Sequence, residues 1–376
     1  MHRRRPCGDG RRPAGSLSHA LRSASQCRSG ARACVPARRA DEKRPRREAD
    51  WRLEGNLSGE TARGRGNPML SKLDEELPVP HHAVLTDDPD KILDFARSGL
   101  RSGLGCALVT LVEIQGGAAR SLGAHMAVRE DGLFCGFVSG GCVEAVVAAE
   151  AIQAIRAGCD RTLVLGKGSR FFDIVLPCGG SISLVIHVLR RSEPLDAVLA
   201  ALASRQRAGL RYDARAQSLE FLRAAAEPGW EQGGFITSYR PATRIVLCGR
   251  SIELKMTISL AEAVGYDIIA FGGAGAEAVR PEQLDEDSAV AFLHHDLDKE
   301  MALLEIAAAS RAFYIGALGS ERTHRRRCDE LRRRGFSDAS IARIKAPIGL
   351  FPKARDAGSL ALSVLADIAA RRAAAR

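Results

Sequence analysis

The sequence predicts an α/β protein, an N-terminal mixed α/β domain followed by a Rossmann-like doubly wound parallel-sheet domain. Three observations carry that expectation. Between residues 107 and 189, short apolar runs follow one another through tight turn signals, with one long helical run among them. That is the pattern of a sheet built largely from hairpins. From Arg244 onward, short apolar runs alternate with helical runs, as in a parallel sheet with crossover helices. The 376 residues are also enough for more than one core. The expected divisions are a disordered basic tail over 1–68, a cysteine-containing α/β domain over 69–190, a connector over 191–241 and the Rossmann-like domain over 242–376.

The elements follow in order. "PDKILDFARSGLR" (89–101) predicts a helix, since Ile92, Leu93, Phe95 and Ala96 make one apolar face. "ALVTLVEI" (107–114) predicts a strand and "QGGAARSLGAHM" a glycine-broken loop after it. "HMAVRE" and "LFCGFVS" flank Asp131-Gly132, a strong hairpin turn. The alanine-rich run 142–157 predicts a helix opening at Cys142 and closed by Gly158. "TLVLG", "FDIVL" and "SISLVIHVL" add strands, with Pro177-Cys178-Gly179-Gly180 turning between the last two. Residues 192–240 carry weak signals: a helix near 194–207, a short hairpin and the strand "GFITSY". Then come the strand "RIVLCG", a helix ending at Gly265, the strands "YDIIAFGG" and "AVAFLHH", the helix "DLDKEMALLEIAAAS" and the strand "AFYIGALG". The basic helix "SERTHRRRCDELRRRG", a short helix capped by Ser337 and a last helix from Ser359 complete the chain.

The formal charge of +10 invites a polyanion partner until it is located. Seventeen of the 55 basic residues and seven of the 45 acidic ones lie in the first 68 positions, so the rest of the chain is neutral. The body therefore offers no electrostatic reason to expect nucleic acid. The first segment is rich in Arg, Gly, Ser, Pro and Ala and cannot bury enough surface to offset its chain entropy. It has no apolar run of the secretory kind, and Asp41, Glu42, Glu48 and Asp50 argue against a transit peptide. A start of translation at Met69 or a functionless tail is expected before an RNA-binding arm. Ten cysteines without a C-x-x-C pair or an export signal predict free thiols in a reducing cytoplasm. No run approaches the roughly 20 apolar residues of a membrane span.

Chemistry concentrates in the glycine turns. In "VSGGCVE" (138–144), Gly140 and Gly141 allow unusual backbone angles and close approach of a ligand. A helix starting at Cys142 would favour an anion there and a thiolate suited to sulfur or to a soft metal. The plain alternative is a tight strand-to-helix turn with an inert buried cysteine. Cys178 likewise stands against Gly179 and Gly180, so two turn thiols of one domain stand ready for a single ligand, or are two small buried side chains. Gln115-Gly116-Gly117 with Arg120 forms a third glycine loop, Arg120 being suited to an oxyanion; a solvated loop reads equally well. Glu144 reads as ordinary helix-start chemistry.

In the second half, "RIVLCGRSIEL" stands where a dinucleotide fingerprint belongs but retains only Gly249, and "AFGG" lacks the acid for a ribose. NAD(P) binding is therefore not expected, and an NAD(P)-dependent oxidoreductase is the rival reading. His294-His295-Asp296 ends a strand at the ligand edge of such a sheet, and Ser320 opens a helix, as an N-cap or as part of an anion site. Arg325-Arg326-Arg327 and Arg332-Arg333-Arg334 alternate with acids and read as a solvated face.

In order, "ALVTLVEIQGGAARSLGAHMAVREDGLFCGFVSGGCVE", "LPCGG", "HHD", "YIGALGSERTH" and "APIGL" resemble the XdhC/CoxI family of xanthine dehydrogenase accessory factors, over roughly residues 90–370. The resemblance implies a molybdenum cofactor chaperone. Such a protein binds molybdopterin, assists its sulfuration by a cysteine desulfurase and delivers it to a molybdenum hydroxylase such as xanthine dehydrogenase. The family tends to dimerise. Cys142 and Cys178 fall on the family's cysteine positions and become the expected molybdenum contacts. Gly116, Gly117, Arg120, Gly140, Gly141, Gly179, Gly180 and Ser320 are the expected cofactor-binding residues. Where the family commonly carries Gly-x-Gly-His, this chain reads Gly249-Arg250-Ser251-Ile252. After "APIGL" it continues Phe351-Pro352-Lys353 in place of the family's Asp-Ile-Gly stretch.

Overall fold

The computed structural model describes residues 77–166, 179–224, 227–272, 279–294, 296–351 and 354–374. The tail over 1–68, the run "FDIVL", Cys178 and His295 lie outside the described residues.

The first sheet has the strand order β1-β4-β3-β2-β6-β5, from β1 (His81–Val84), β2 (Cys106–Gln115), β3 (His125–Arg129), β4 (Leu133–Gly136), β5 (Arg161–Gly166) and β6 (Ser181–Leu189). β1 pairs with β4 in parallel, and every other pair is antiparallel. The sheet is buried on both faces because β2 alternates between two cores. Ala107, Val109 and Leu111 pack against α2 (Glu144–Ala157), while Leu108 and Val112 pack against α1 (Pro89–Arg101) and α3 (Glu193–Ala203). α1 forms as its periodicity predicts, with Asp88 accepting from the Asp90 amide at its start.

Residues 208–239 have more structure than their weak signals predict. β7 (Ala208–Asp213), β8 (Ser218–Leu222), β9 (Gly229–Glu231) and β10 (Gly234–Tyr239) make an antiparallel sheet ordered β8-β7-β10-β9. Leu210, Tyr212, Phe235 and Tyr239 share one core with α1 and α3. Asp160 ties the two sheets together. It accepts from His187 Nδ1 at 2.7 Å on β6 and from the Tyr212 hydroxyl at 3.0 Å on β7.

The remaining strands form the parallel sheet that the βα alternation predicts. β11 (Arg244–Gly249), β12 (Asp267–Phe271), β13 (Ser288–Leu293), β14 (Tyr314–Ala317) and β15 (Ile344–Lys345) take the order β12-β11-β13-β14-β15. α4 (Ile252–Val264) and α8 (Ala357–Ala374) cover one face. α5 (Leu297–Ala309), α6 (Glu321–Arg333) and α7 (Asp338–Ala342) cover the other. The strand order reverses between β11 and β13, so Gly249 and His294 stand at the switch point on the carboxyl edge of the sheet. No helix of the described residues is long and apolar enough to cross a membrane.

Candidate functional site

Sheet topology brings the glycine turns together. β2 and β6 are antiparallel, and Gln115 at the end of β2 pairs with Ser181 at the start of β6. The turn leaving β2 and the turn entering β6 therefore sit side by side. β4 runs with β2, because both are antiparallel to β3, so the turn after β4 leaves the same edge. Gly116-Gly117, Gly179-Gly180 and Gly140-Gly141 thus leave one edge of the sheet and lie near one another.

Contact between two of the turns is backbone to backbone. A Cβ on Gly180 would lie 2.5 Å from the Gln115 carbonyl oxygen and 2.8 Å from that of Gly117, so no side chain fits there. The third turn is joined through Ala119, whose Cβ lies 3.6 Å from the point a Cβ on Gly140 would occupy. Arg120 strengthens that join. Its guanidinium lies over the Phe137 ring at 5.4 Å and donates to Asp87 at 3.0 Å. Arg120 thus already has a carboxylate partner; its Nε is buried with no hydrogen bond among the described residues.

Gly141 has φ +105° and open space where a Cβ would stand, so the turn presents bare backbone to solvent. Cys142 follows it and is exposed, with its Sγ 3.7 Å from the Ser139 hydroxyl. The buried-thiol reading of this turn does not hold. Among the described residues, Cys106, Cys135 and Cys248 are buried. Burial pushes the first two thiols up to about 12 and the third to about 11, which makes them inert at neutral pH. Cys159 is also exposed but lies at the far end of α2.

One expectation is corrected. α2 begins at Glu144, with Val143 as its N-cap, so Cys142 precedes the helix. The anion at the helix start is the protein's own. Glu144 is buried, and its carboxylate accepts from the Ser139 amide at 2.8 Å, the Val138 amide at 3.2 Å and the Val143 amide at 3.2 Å. The Ser139 hydroxyl lies 2.9 Å from both carboxylate oxygens. Glu144 is therefore the organiser of the cysteine turn, a role for which the sequence offered no signal beyond an acid in the first turn.

The second-half residues lie on the parallel sheet. Ser320 caps α6, accepting from the Thr323 amide at 3.3 Å. Cys248 at the end of β11 reaches His294 Nε2 at 3.4 Å across the switch point, and the Asp296 amide donates to His294 Nδ1 at 3.2 Å. The glycine turns and Cys142 belong to the first sheet, and Ser320 and His294 to the third.

Comparison with known proteins agrees with this two-part arrangement. The XdhC and CoxI family matches residues 100–166 and the XdhC Rossmann domain matches residues 245–368. The molybdenum cofactor insertion chaperone PaoD of Escherichia coli K12 is 52% identical over 305 residues, covering 81% of this chain and 95% of PaoD. The uncharacterized protein YqeB of the same organism is 27% identical over 263 residues, covering 70% of this chain and 42% of its own length. In fold, the chain is similar to a crystal structure of a xanthine dehydrogenase from Bacillus halodurans. The TM-score is 0.61 at 19% identity, over 76% of this chain and 96% of that one. With both halves matched in order and PaoD alike over nearly its whole length, the chain belongs to the XdhC and CoxI family.

Proposed function

We propose that this protein is a molybdenum cofactor-binding chaperone that assists sulfuration and insertion of the cofactor into a molybdenum hydroxylase such as xanthine dehydrogenase. The observation that carries this reading is the exposed Cys142 thiol on a bare glycine turn, with two further glycine turns closed against one another beside it. The 52% identity to PaoD, named as a molybdenum cofactor insertion chaperone, supports it independently.

The donor set suits the cargo. Molybdopterin brings a soft metal centre and a phosphate, and an unburied thiol is the side chain that holds such a metal through sulfur. Cys142 is the contact to molybdenum, joined by Cys178, the residue before Gly179 in the sequence. The backbone of the Gly116-Gly117 and Gly140-Gly141 turns takes the polar rim of the pterin. Glu144 fixes the Cys142 turn without competing for the metal, because its oxygens are committed to amides. A cysteine desulfurase supplies the sulfur, and the setting is the cytoplasm.

Cofactor retention tests the reading. After co-expression with cofactor synthesis, Cys142→Ala should lose the bound molybdopterin while melting at the wild-type temperature, and Cys159→Ala should keep it. Full retention by Cys142→Ala would remove the thiol from the site. Tight NAD(P) binding that survives Cys142→Ala, without any cofactor binding, would favour the oxidoreductase instead.

A further inference from the structure

A buried hydroxyl stands directly behind the exposed thiol. Ser139 is buried, and its Oγ lies 2.9 Å from both carboxylate oxygens of Glu144. The Gly141 amide points at the same oxygen from 3.3 Å, and the Cys142 Sγ is 3.7 Å away. A serine hydroxyl has one hydrogen to give and two lone pairs to offer. Those numbers decide which of these groups donates.

The hydrogen goes to Glu144. A carboxylate facing three amides is a far stronger acceptor than a thiol, charge-assisted bonds being roughly twice as strong as neutral ones. It is also much the nearer of the two. The Gly141 amide can only donate, so it occupies one lone pair of the hydroxyl. The other lone pair faces Cys142, which makes the thiol the donor of that contact. With its hydrogen turned inward, the Cys142 sulfur presents its own lone pairs to the exposed side of the turn, next to the open space at Gly141. Cys159 is exposed too, but its sulfur has no hydrogen bond among the described residues.

We propose that Ser139 is a positioning residue for Cys142, accepting the thiol hydrogen so that the sulfur lone pairs face the incoming molybdenum centre. The proposal rests on Cys142 being the contact to molybdenum. Ser139 itself touches no cargo; it sets the direction from which the thiol receives it. Glu144 fixes the hydroxyl in turn. An acid in the first turn of α2 thus orients a thiol outside the helix through one intervening serine.

The test is infrared difference spectroscopy of the full-length protein in the S–H stretching region. Wild type minus Cys142→Ala isolates the Cys142 band, and wild type minus Cys159→Ala isolates a solvent-exposed reference. The Cys142 band should be narrower than the Cys159 band and lie at lower frequency, as one fixed acceptor demands. Ser139→Ala keeps every amide that holds Glu144, so it should melt close to the wild type. Its Cys142 band, read against the Ser139→Ala, Cys142→Ala double variant, should move to the Cys159 position. Ser139→Thr retains the hydroxyl and should hold the band where the wild type has it. Cofactor retention by Ser139→Ala should fall about two- to tenfold, the worth of one neutral hydrogen bond. The proposal is overturned if the wild-type Cys142 and Cys159 bands coincide, if Ser139→Ala leaves the Cys142 band unmoved, or if it retains cofactor as the wild type does. The spectra need no cofactor, so a failure of the chaperone reading, seen as full retention by Cys142→Ala, is told apart from a failure of the hydrogen bond.

Discussion

Glu144 shows how a single residue escapes sequence rules. An acid in the first turn of a helix is ordinary, and local capping patterns join residues three positions apart. Here the carboxylate reaches back to the amides of Val138 and Ser139, farther than those patterns extend, and only the folded turn shows it. Removing it strands buried amides, so Glu144→Ala should lower stability by about 1–3 kcal/mol and make the 138–143 segment sensitive to protease. An unchanged denaturation midpoint would show that water replaces the carboxylate. Arg327 escaped in the same way: read with Arg325 and Arg326 as part of a solvated face, it is fully buried and its guanidinium binds the Glu300 carboxylate on α5, a partner no local pattern shows. Cys142 was legible as a candidate because two glycines before a thiol have no packing purpose.

At the scale of elements, legibility followed periodicity. β2, β3, β6, β11 and β13 are apolar enough to announce themselves, and α1 shows its buried stripe directly. β1 is exposed at most of its positions and β15 is two residues long, so neither has a pattern to read. The sheet of β7 to β10 was half visible, because its strands mix polar and apolar residues and acquire their burial from α1 and α3. The paired glycine turns make the sharpest element-level prediction. Gly179 has φ +67° with nothing near a Cβ, so Gly179→Ala should cost only the backbone strain, about 1–2 kcal/mol. Gly180→Ala meets carbonyl oxygens that cannot step aside. It should cost more, about 2–3 kcal/mol, and reduce cofactor retention as the turns separate. Equal losses from the two variants would contradict the backbone contact.

At the scale of the molecule, the parallel sheet is fastened to the preceding residues by a cluster of ion pairs centred on the buried Asp287. Asp287 accepts from Arg240 at 2.7 and 2.9 Å, from Arg207 at 3.4 Å and from Arg372. Beside it, Arg205 grips Asp285 at 2.6 and 3.0 Å. Burial, followed by the charges of Arg240, Arg207 and Arg205, pushes the Arg372 guanidinium down to about 10, a measure of how crowded with cations this joint is. Asp287→Ala removes the shared acceptor and should cost about 3–5 kcal/mol, read as a lower denaturant midpoint; a loss under 1 kcal/mol would mean the joint is held by packing alone. The contrast between the first sheet and the parallel sheet was legible because hairpin and crossover patterns differ, whereas this joint was not, its members being scattered from Arg205 to Arg372. The pairing of Gln115 with Ser181, 66 positions apart, has a temporal consequence as well. Long-range pairing of this kind must close a large loop of chain before any contact repays it. The turn cluster thus comes into being late, and a ribosome must have released the chain through Leu189 before the strands that frame Cys142 can meet. Under the proposed function, a nascent chain has no site to offer, and occupancy by cargo would certify that the first sheet is finished.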